Sequence, residues 1–452
     1  MKKTPWRIGA ALLLALALTG AACSSRSDTE GTVSEGSTGS EGGGTEESVA
    51  FIDPEKDCTD YQGTQGVEGD TIKIGTIRPE SGPYAIYDNV TKGMEAYFKA
   101  SNAAGGIEAG DGKKYQVELI KKNDEYDPAK TPALAKELVE QEGVFALVGD
   151  IGTETNKSIR DYMNENCVPN IALATGSTQW GGANAYPWYI SALPSYATEA
   201  HAWVEYLKET KPDAKIALLY QDDDFGQSYK AAIEKGIEGT DLTVVDDESF
   251  NPLSGTSTEA SVTALSQSDA DVFIVGIGGT PCPQTLSFMP DTWTPQTFIS
   301  VTCASKLAMS LAGGKDQGVF IAQATLDPAD PADATNPKIV DFKEQAVIGG
   351  LDEGSIEGGI SAPGWGFASM FALGLENAAT VDRAAVMNAL YALDGTTFGL
   401  LRDEVTVNTD GAKDPWAIEG FRIAQREGAG WVEKSPVTNW EGESNSFSGN
   451  GG

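Results

Sequence analysis

From residue 70 onward the chain alternates short β-branched runs with amphipathic stretches, and it does so in two successive series. Such alternation specifies βα units, in which connecting helices cover both faces of a parallel sheet. The first series predicts strands at 71–77, 116–121, 145–148 and 170–173, with helices at 90–103, 128–140 and 155–165. The second opens on a helix at 196–209, followed by strands at 215–220, 242–249, 272–275 and 296–299. Helices at 225–235, 258–266 and 283–289 separate those strands. A body of about 400 residues is too large for one ordinary core. The reading is therefore an α/β fold of two doubly wound, Rossmann-like lobes, with a cleft at the carboxyl ends of their strands.

The segments that follow need a place in that plan. A chain crossing back at 318–324 lets the helices at 338–347, 365–379 and 381–393 complete the first lobe. The run 418–423 then returns to the second, which makes a multi-strand hinge. The expected division is an N-terminal lobe of 70–190 plus 320–413 and a C-terminal lobe of 191–319 plus 414–435. The polar, Gly-rich tail 436–452 is expected to be disordered.

At the other end, Lys2, Lys3 and Arg7 precede an apolar run at 8–18 that is too short for a stable membrane span. The stretch Leu18-Thr19-Gly20-Ala21-Ala22-Cys23 resembles a bacterial lipoprotein cleavage site, departing from it at Gly20, where Leu is usual. It implies a signal peptide at 1–22 and a lipid-modified Cys23; the alternative is plain secretion with cleavage near Ala22. Residues 23–50 are rich in Ser, Gly, Thr and Glu and read as a disordered tether. Such a tether spans roughly 30 Å root-mean-square.

Composition then removes several function classes. With 66 acidic and 32 basic residues the formal charge is −34, which argues against a nucleic-acid partner. His201 is the single histidine, so His-based triads and His-rich metal sites are nearly excluded. There is no nucleophile elbow, no phosphate-binding Gly-rich loop and no metal cluster, so neither catalysis, cofactor nor metal is expected. Beyond Cys23 four cysteines remain, Cys58, Cys167, Cys282 and Cys303, an even number that favours disulfides in an exported chain and allows three pairings.

Four motifs carry a family resemblance: Ser81-Gly82-Pro83 before the first helix, Asn102 to Ile107 (NAAGGI) at its end, Asn123 to Pro128 (NDEYDP) after the second strand, and Val148-Gly149-Asp150 after the third. Over residues 70–432 the chain resembles the branched-chain amino-acid type of ABC-transporter solute-binding protein, with the type I periplasmic binding fold. The resemblance implies a ligand clamped between lobes that close on a hinge. It implies, too, a ligand-binding set of Ser81, Tyr87, Asp150, Thr153, Gly176, Ser177, Thr178, Phe225, Gly279 and Thr302. Ser81 reads as a cap for a helix whose amides face the cleft, and Thr153 with Gly176 to Thr178 as a cradle for a carboxylate. Simple helix capping is the competing reading for Thr153 and Thr178.

The second lobe departs from the family. Gly278-Gly279-Thr280 stands where a tyrosine is usual, and Thr302 where a glutamate holds the ligand ammonium. Asp150, Glu154, Asp222, Asp223 or Asp224 would have to substitute, with Phe225 beside them. The strand placement implies Cys58–Cys167 and Cys282–Cys303 as the disulfides. Trp180 is placed at the cleft mouth, whereas Trp188, Trp293 and Trp365 read as packing residues. The expectation is a monomeric, lipid-anchored binding protein that hands a small polar ligand (an amino acid, amide or small carboxylate) to the permease of an ABC importer. The alternative is a ligand-sensing module.

Overall fold

The computed structural model describes residues 50–448. The signal peptide, Cys23 and all of the tether but Ala50 lie outside the described residues.

The first sheet contains five parallel strands, β1 (Thr71–Arg78), β2 (Lys114–Asn123), β3 (Leu147–Val148), β4 (Asn170–Leu173) and β5 (Tyr189–Ser191), in the order β2-β1-β3-β4-β5. Strands β3 to β5 are buried along their whole length, as parallel strands covered on both faces must be. The crossovers are α1 (Asp88–Ala103), α2 (Thr131–Lys136, continuing as a π turn to Gln141) and α3 (Thr153–Glu165). Helix α1 buries Val90, Met94, Ala96, Phe98 and Ala100 at helical spacing. It ends at Gly105 and Gly106, both at positive φ, as the NAAGGI motif predicts.

The second sheet repeats that order. Strands β6 (Lys215–Gln221), β7 (Thr243–Phe250), β8 (Val272–Gly276), β9 (Gln296–Ile299) and β10 (Phe320–Gln323) run parallel as β7-β6-β8-β9-β10. Two antiparallel strands, β11 (Gly420–Glu427) and β12 (Gly430–Glu433), extend the edge. Its helices are α4 (Tyr196–Thr210), α5 (Asp224–Gly236), α6 (Glu259–Leu265) and α7 (Pro281–Phe288). Beyond β10 the chain returns to the first sheet through α8 (Pro337–Ile348), α9 (Ala362–Asn377) and α10 (Arg383–Leu390). Helices α1 and α9 meet almost backbone to backbone: a Cβ on Gly364 would lie 1.7 Å from the Val90 carbonyl, and one on Gly93 1.9 Å from that of Ser361. Any side chain at either glycine would push the helices apart.

Both disulfides implied above are present, Cys58–Cys167 and Cys282–Cys303, with Cα separations of 6.0 and 6.2 Å. Two expected boundaries need correction. Residues 320–323, assigned above to the N-terminal lobe, pair with β9 and β11 and so belong to the second sheet. The tail expected to be disordered from 436 is ordered through Ser448: Thr438–Asn439 pairs with β11, and Ser444–Phe447 is helical. Its polar groups find fixed partners, since Glu419 accepts from the Gly442 and Ser444 amides and Phe447 stacks on His201 at 3.8 Å. A Gly-rich composition signals disorder only where the chain has nothing to dock against.

Candidate functional site

The loops leaving the carboxyl ends of both sheets meet across a cleft, and the lobes are in contact there. After β1, a 3-10 turn at Ala85–Tyr87 presents two tyrosines. Tyr84 Oη donates to Gln221 Oε1 of the second lobe at 2.5 Å, and Tyr87 Oη accepts from the Gly279 amide at 2.7 Å. The Tyr84 ring stacks on Tyr126, the centroids 3.9 Å apart and the rings nearly parallel. Gly279 lies at φ +65°, and a Cβ there would sit 2.7 Å from the Tyr84 ring, so only glycine admits this approach. At the rim Lys157 pairs with Asp224 at 2.5 Å, and Glu154 accepts from the Asp224 amide.

Beneath this seam lies a cavity of about 180 Å³. Its first end is aromatic, formed by Tyr84, Tyr87, Tyr126, Tyr196 and Phe225. Its other end is aliphatic and aromatic and reaches Phe367, Phe398, Leu400 and Leu401 of the helices and loops that return to the first lobe. The floor is the hinge itself, with Leu193 and Pro194 from the first crossing, Gln323 to Asp327 from the second and Ile418 from the third. Among the described residues Asp327 is the one charged side chain lining it, and burial holds its carboxyl above the usual range.

Of the residues expected to bind ligand, Tyr87, Phe225 and Thr302 line the cavity, and Gly279 holds Tyr87 in place. The remainder do not line it. Ser81 is exposed and accepts from Asn123 Nδ2; it caps no helix, because the 3-10 turn moves the start of α1 to Asp88. Thr153 Oγ1 is bonded to Thr175 Oγ1 at 2.7 Å. Gly176 is pressed against the Pro194 carbonyl, and its own carbonyl accepts from the Tyr196 amide. Ser177 and Thr178 face α5, where the Thr178 amide donates to Ser228 Oγ and Ser177 Oγ to the Asp224 carbonyl. Asp150 is buried behind β1, accepting from the Ile77 amide, and desolvation pushes its carboxyl far up. Trp180, placed at the cleft mouth, instead stacks on Tyr189 in the first-lobe core.

None of the acids offered as replacements for a ligand-binding glutamate lines the cavity. Asp223 caps α5 and accepts from Gln221 Nε2, and burial raises it to about 6. A further acid off the wall, Glu199, accepts from Tyr229 Oη at 2.6 Å and from the amide of Val301, which lines the cavity, at 2.8 Å. Tyr229 in turn bonds Ser300, and Ser300 bonds Thr302. Complete burial lifts Glu199 to about 8, which favours its uncharged form beneath the Thr302 turn. The sequence analysis does not single out Tyr84 or Tyr126, although Tyr126 lies within Asn123 to Pro128 and Tyr84 directly follows Ser81-Gly82-Pro83. Away from the cavity, Asp414, Glu419 and Glu441 bring carboxylate oxygens within 4.8 Å of one another. No helix among the described residues is long and apolar enough to cross a membrane.

Comparison with known proteins gives a consistent picture. Residues 71–428 match the family model described as periplasmic binding protein. A Leu/Ile/Val-binding protein homolog from Brucella abortus is 34% identical over 106 residues, which span 23% of this chain and 25% of that relative. Among solved structures, a branched-chain amino acid ABC transporter protein from Thermus thermophilus with bound valine superposes with a TM-score of 0.72 at 17% identity, covering 82% of this chain and 97% of that one. A fatty acid ABC transporter substrate-binding protein from Thermomonospora curvata gives 0.71 at 19% identity, covering 85% and 96%. At these identities the likeness is one of fold.

Proposed function

This chain belongs to the periplasmic binding protein family, and from that premise we propose that it is the extracytoplasmic receptor of an ABC importer, not an enzyme. It captures a small molecule by closure of its two lobes and presents the closed form to permease subunits. The observation that carries this reading is the interlobe cavity whose lining draws on all three hinge crossings, so that filling it and closing the lobes are one event. We take the protein to act as a monomer held at the outer face of the cell membrane by acyl chains on Cys23. A Cys23→Ala protein should then leave the membrane fraction.

The test is uptake. Cells lacking the chain should fail to accumulate its ligand and recover on complementation, while a lost transcriptional or motility response with unchanged accumulation would favour ligand sensing instead.

A further inference from the structure

The chemistry of the cavity narrows what can fill it. No lysine, arginine or histidine lines it among the described residues, and the aromatic end offers no carboxylate. Most polar groups on its wall are already engaged. Tyr84 is bonded to Gln221 and Tyr87 to Gly279. Thr302 is bonded to Ser300, and Gln323 to Arg422 at 2.9 Å. An α-ammonium enclosed here would lose its water without gaining an anion, and an unpaired buried charge is among the most unfavourable groups in a protein. The lone acid, Asp327, sits on the second hinge crossing, already accepts from the Ala329 amide and is biased by burial toward its neutral form. Apart from the hydroxyls of Tyr126, Tyr196, Ser305 and Thr325, the rest of the wall is apolar, and an apolar cavity of roughly 150 Å³ holds a benzene ring.

We infer that the ligand is a chiefly apolar molecule without an ammonium group, an aromatic or alkyl body lying between Tyr84, Tyr126 and Phe225 at one end and Phe398, Leu400 and Leu401 at the other. This rests on the receptor reading above and names the substrate class of the same site. It departs from the expectation of a polar amino-acid ligand and keeps that of a small carboxylate open. The chain keeps the clamp and changes the cargo: stacked tyrosines and the aliphatic wall give affinity through buried apolar area, and the few free polar groups set orientation.

Matched pairs test it with the full folded body. Calorimetry compares L-phenylalanine with 3-phenylpropanoate and L-leucine with 4-methylpentanoate, each pair differing only in the α-ammonium. 3-Phenylpropan-1-ol then separates a requirement for carboxylate from binding by the apolar body alone. The expected result is at least tenfold tighter binding of the ammonium-free member of each pair. A Thr302→Glu variant, which sets a carboxylate on the cavity wall, should shrink or reverse that ratio while keeping the wild-type melting profile. Should the amino acids bind as tightly as their partners or more so, the inference falls and the importer reading stands. Binding of no member of either pair overturns the inference as well, and the importer reading is then judged by uptake alone.

Discussion

In the first lobe the loops after β1 and β2 bring Tyr84, Tyr87 and Tyr126 to the cleft; in the second, whose five parallel strands have the same order, the start of α5 and the loops after β8 and β9 bring Phe225, Gly278, Gly279 and Thr302. The two faces are complementary for that reason. Tyrosines of the first lobe occupy the space that side chains at the glycine pair would fill, and their hydroxyls bond the Gly279 amide and Gln221. A shared topology therefore fixes where the loops emerge, while the loops decide which lobe supplies bulk and which supplies room. The lobes also differ in how they are braced, by a disulfide of sequence separation 109 in the first and 21 in the second.

The bracing gives the largest expected effect. In the chain-entropy account, replacing Cys58 and Cys167 together by serine should destabilise by about 5 kcal/mol, and replacing Cys282 and Cys303 by about 3 kcal/mol. Denaturant midpoints of the two double variants measure the difference. Equal losses would mean that native contacts, not loop length, set the contribution of each bridge.

Next comes the buried acid under each cleft face, Asp150 in the first lobe and Glu199 in the second, both raised by desolvation. A carboxyl raised by folding binds its proton more tightly in the native state, so its stabilising contribution is full below the unfolded value and is lost as pH rises through the folded one. For Glu199 that window runs from its ordinary value of 4.5 to about 8. The melting temperature should fall as pH rises across it, and Glu199→Gln should flatten the fall because the amide does not titrate: its oxygen still accepts from the Val301 amide, and its NH2 donates to the Tyr229 hydroxyl, which keeps its bond to Ser300. An unchanged slope in the variant would mean that Glu199 is ionised at neutral pH.

The same contrast explains what could be read before the fold was in hand. Parallel βα order shows in sequence because strands buried on both faces are apolar along their length, and β8, VFIVG and buried throughout, begins at the expected Val272 for that reason. The departure at Gly278-Gly279 and Thr302 was legible as a loss of the usual groups. What replaced them was not, because Tyr84 fills the vacated space from more than a hundred residues away. Likewise the hydroxyls of Thr153, Ser177 and Thr178 are of the type that grips a carboxylate, yet here they bond one another's neighbours and α5. Residue type alone does not say whether a hydroxyl is free.

The smallest effects lie along the seam, where the lobes touch through one buried and one exposed kind of contact. Tyr84→Phe keeps the stacking on Tyr126 but leaves Gln221 Oε1 with only a weak 3.4 Å bond from the Gly278 amide. A buried acceptor that loses its partner costs about 1 kcal/mol or more, so ligand affinity should fall by about fivefold or more through a less favourable closed state. Lys157→Ala removes an ion pair whose side chains are 41% and 40% exposed, and an exposed pair contributes about 0–1 kcal/mol. Its affinity change should be threefold or less and should vanish in high salt, whereas the Tyr84→Phe change should not. If raised salt abolished both, closure would be governed by the charged rim; if it abolished only the first, the tyrosine seam holds the lobes together.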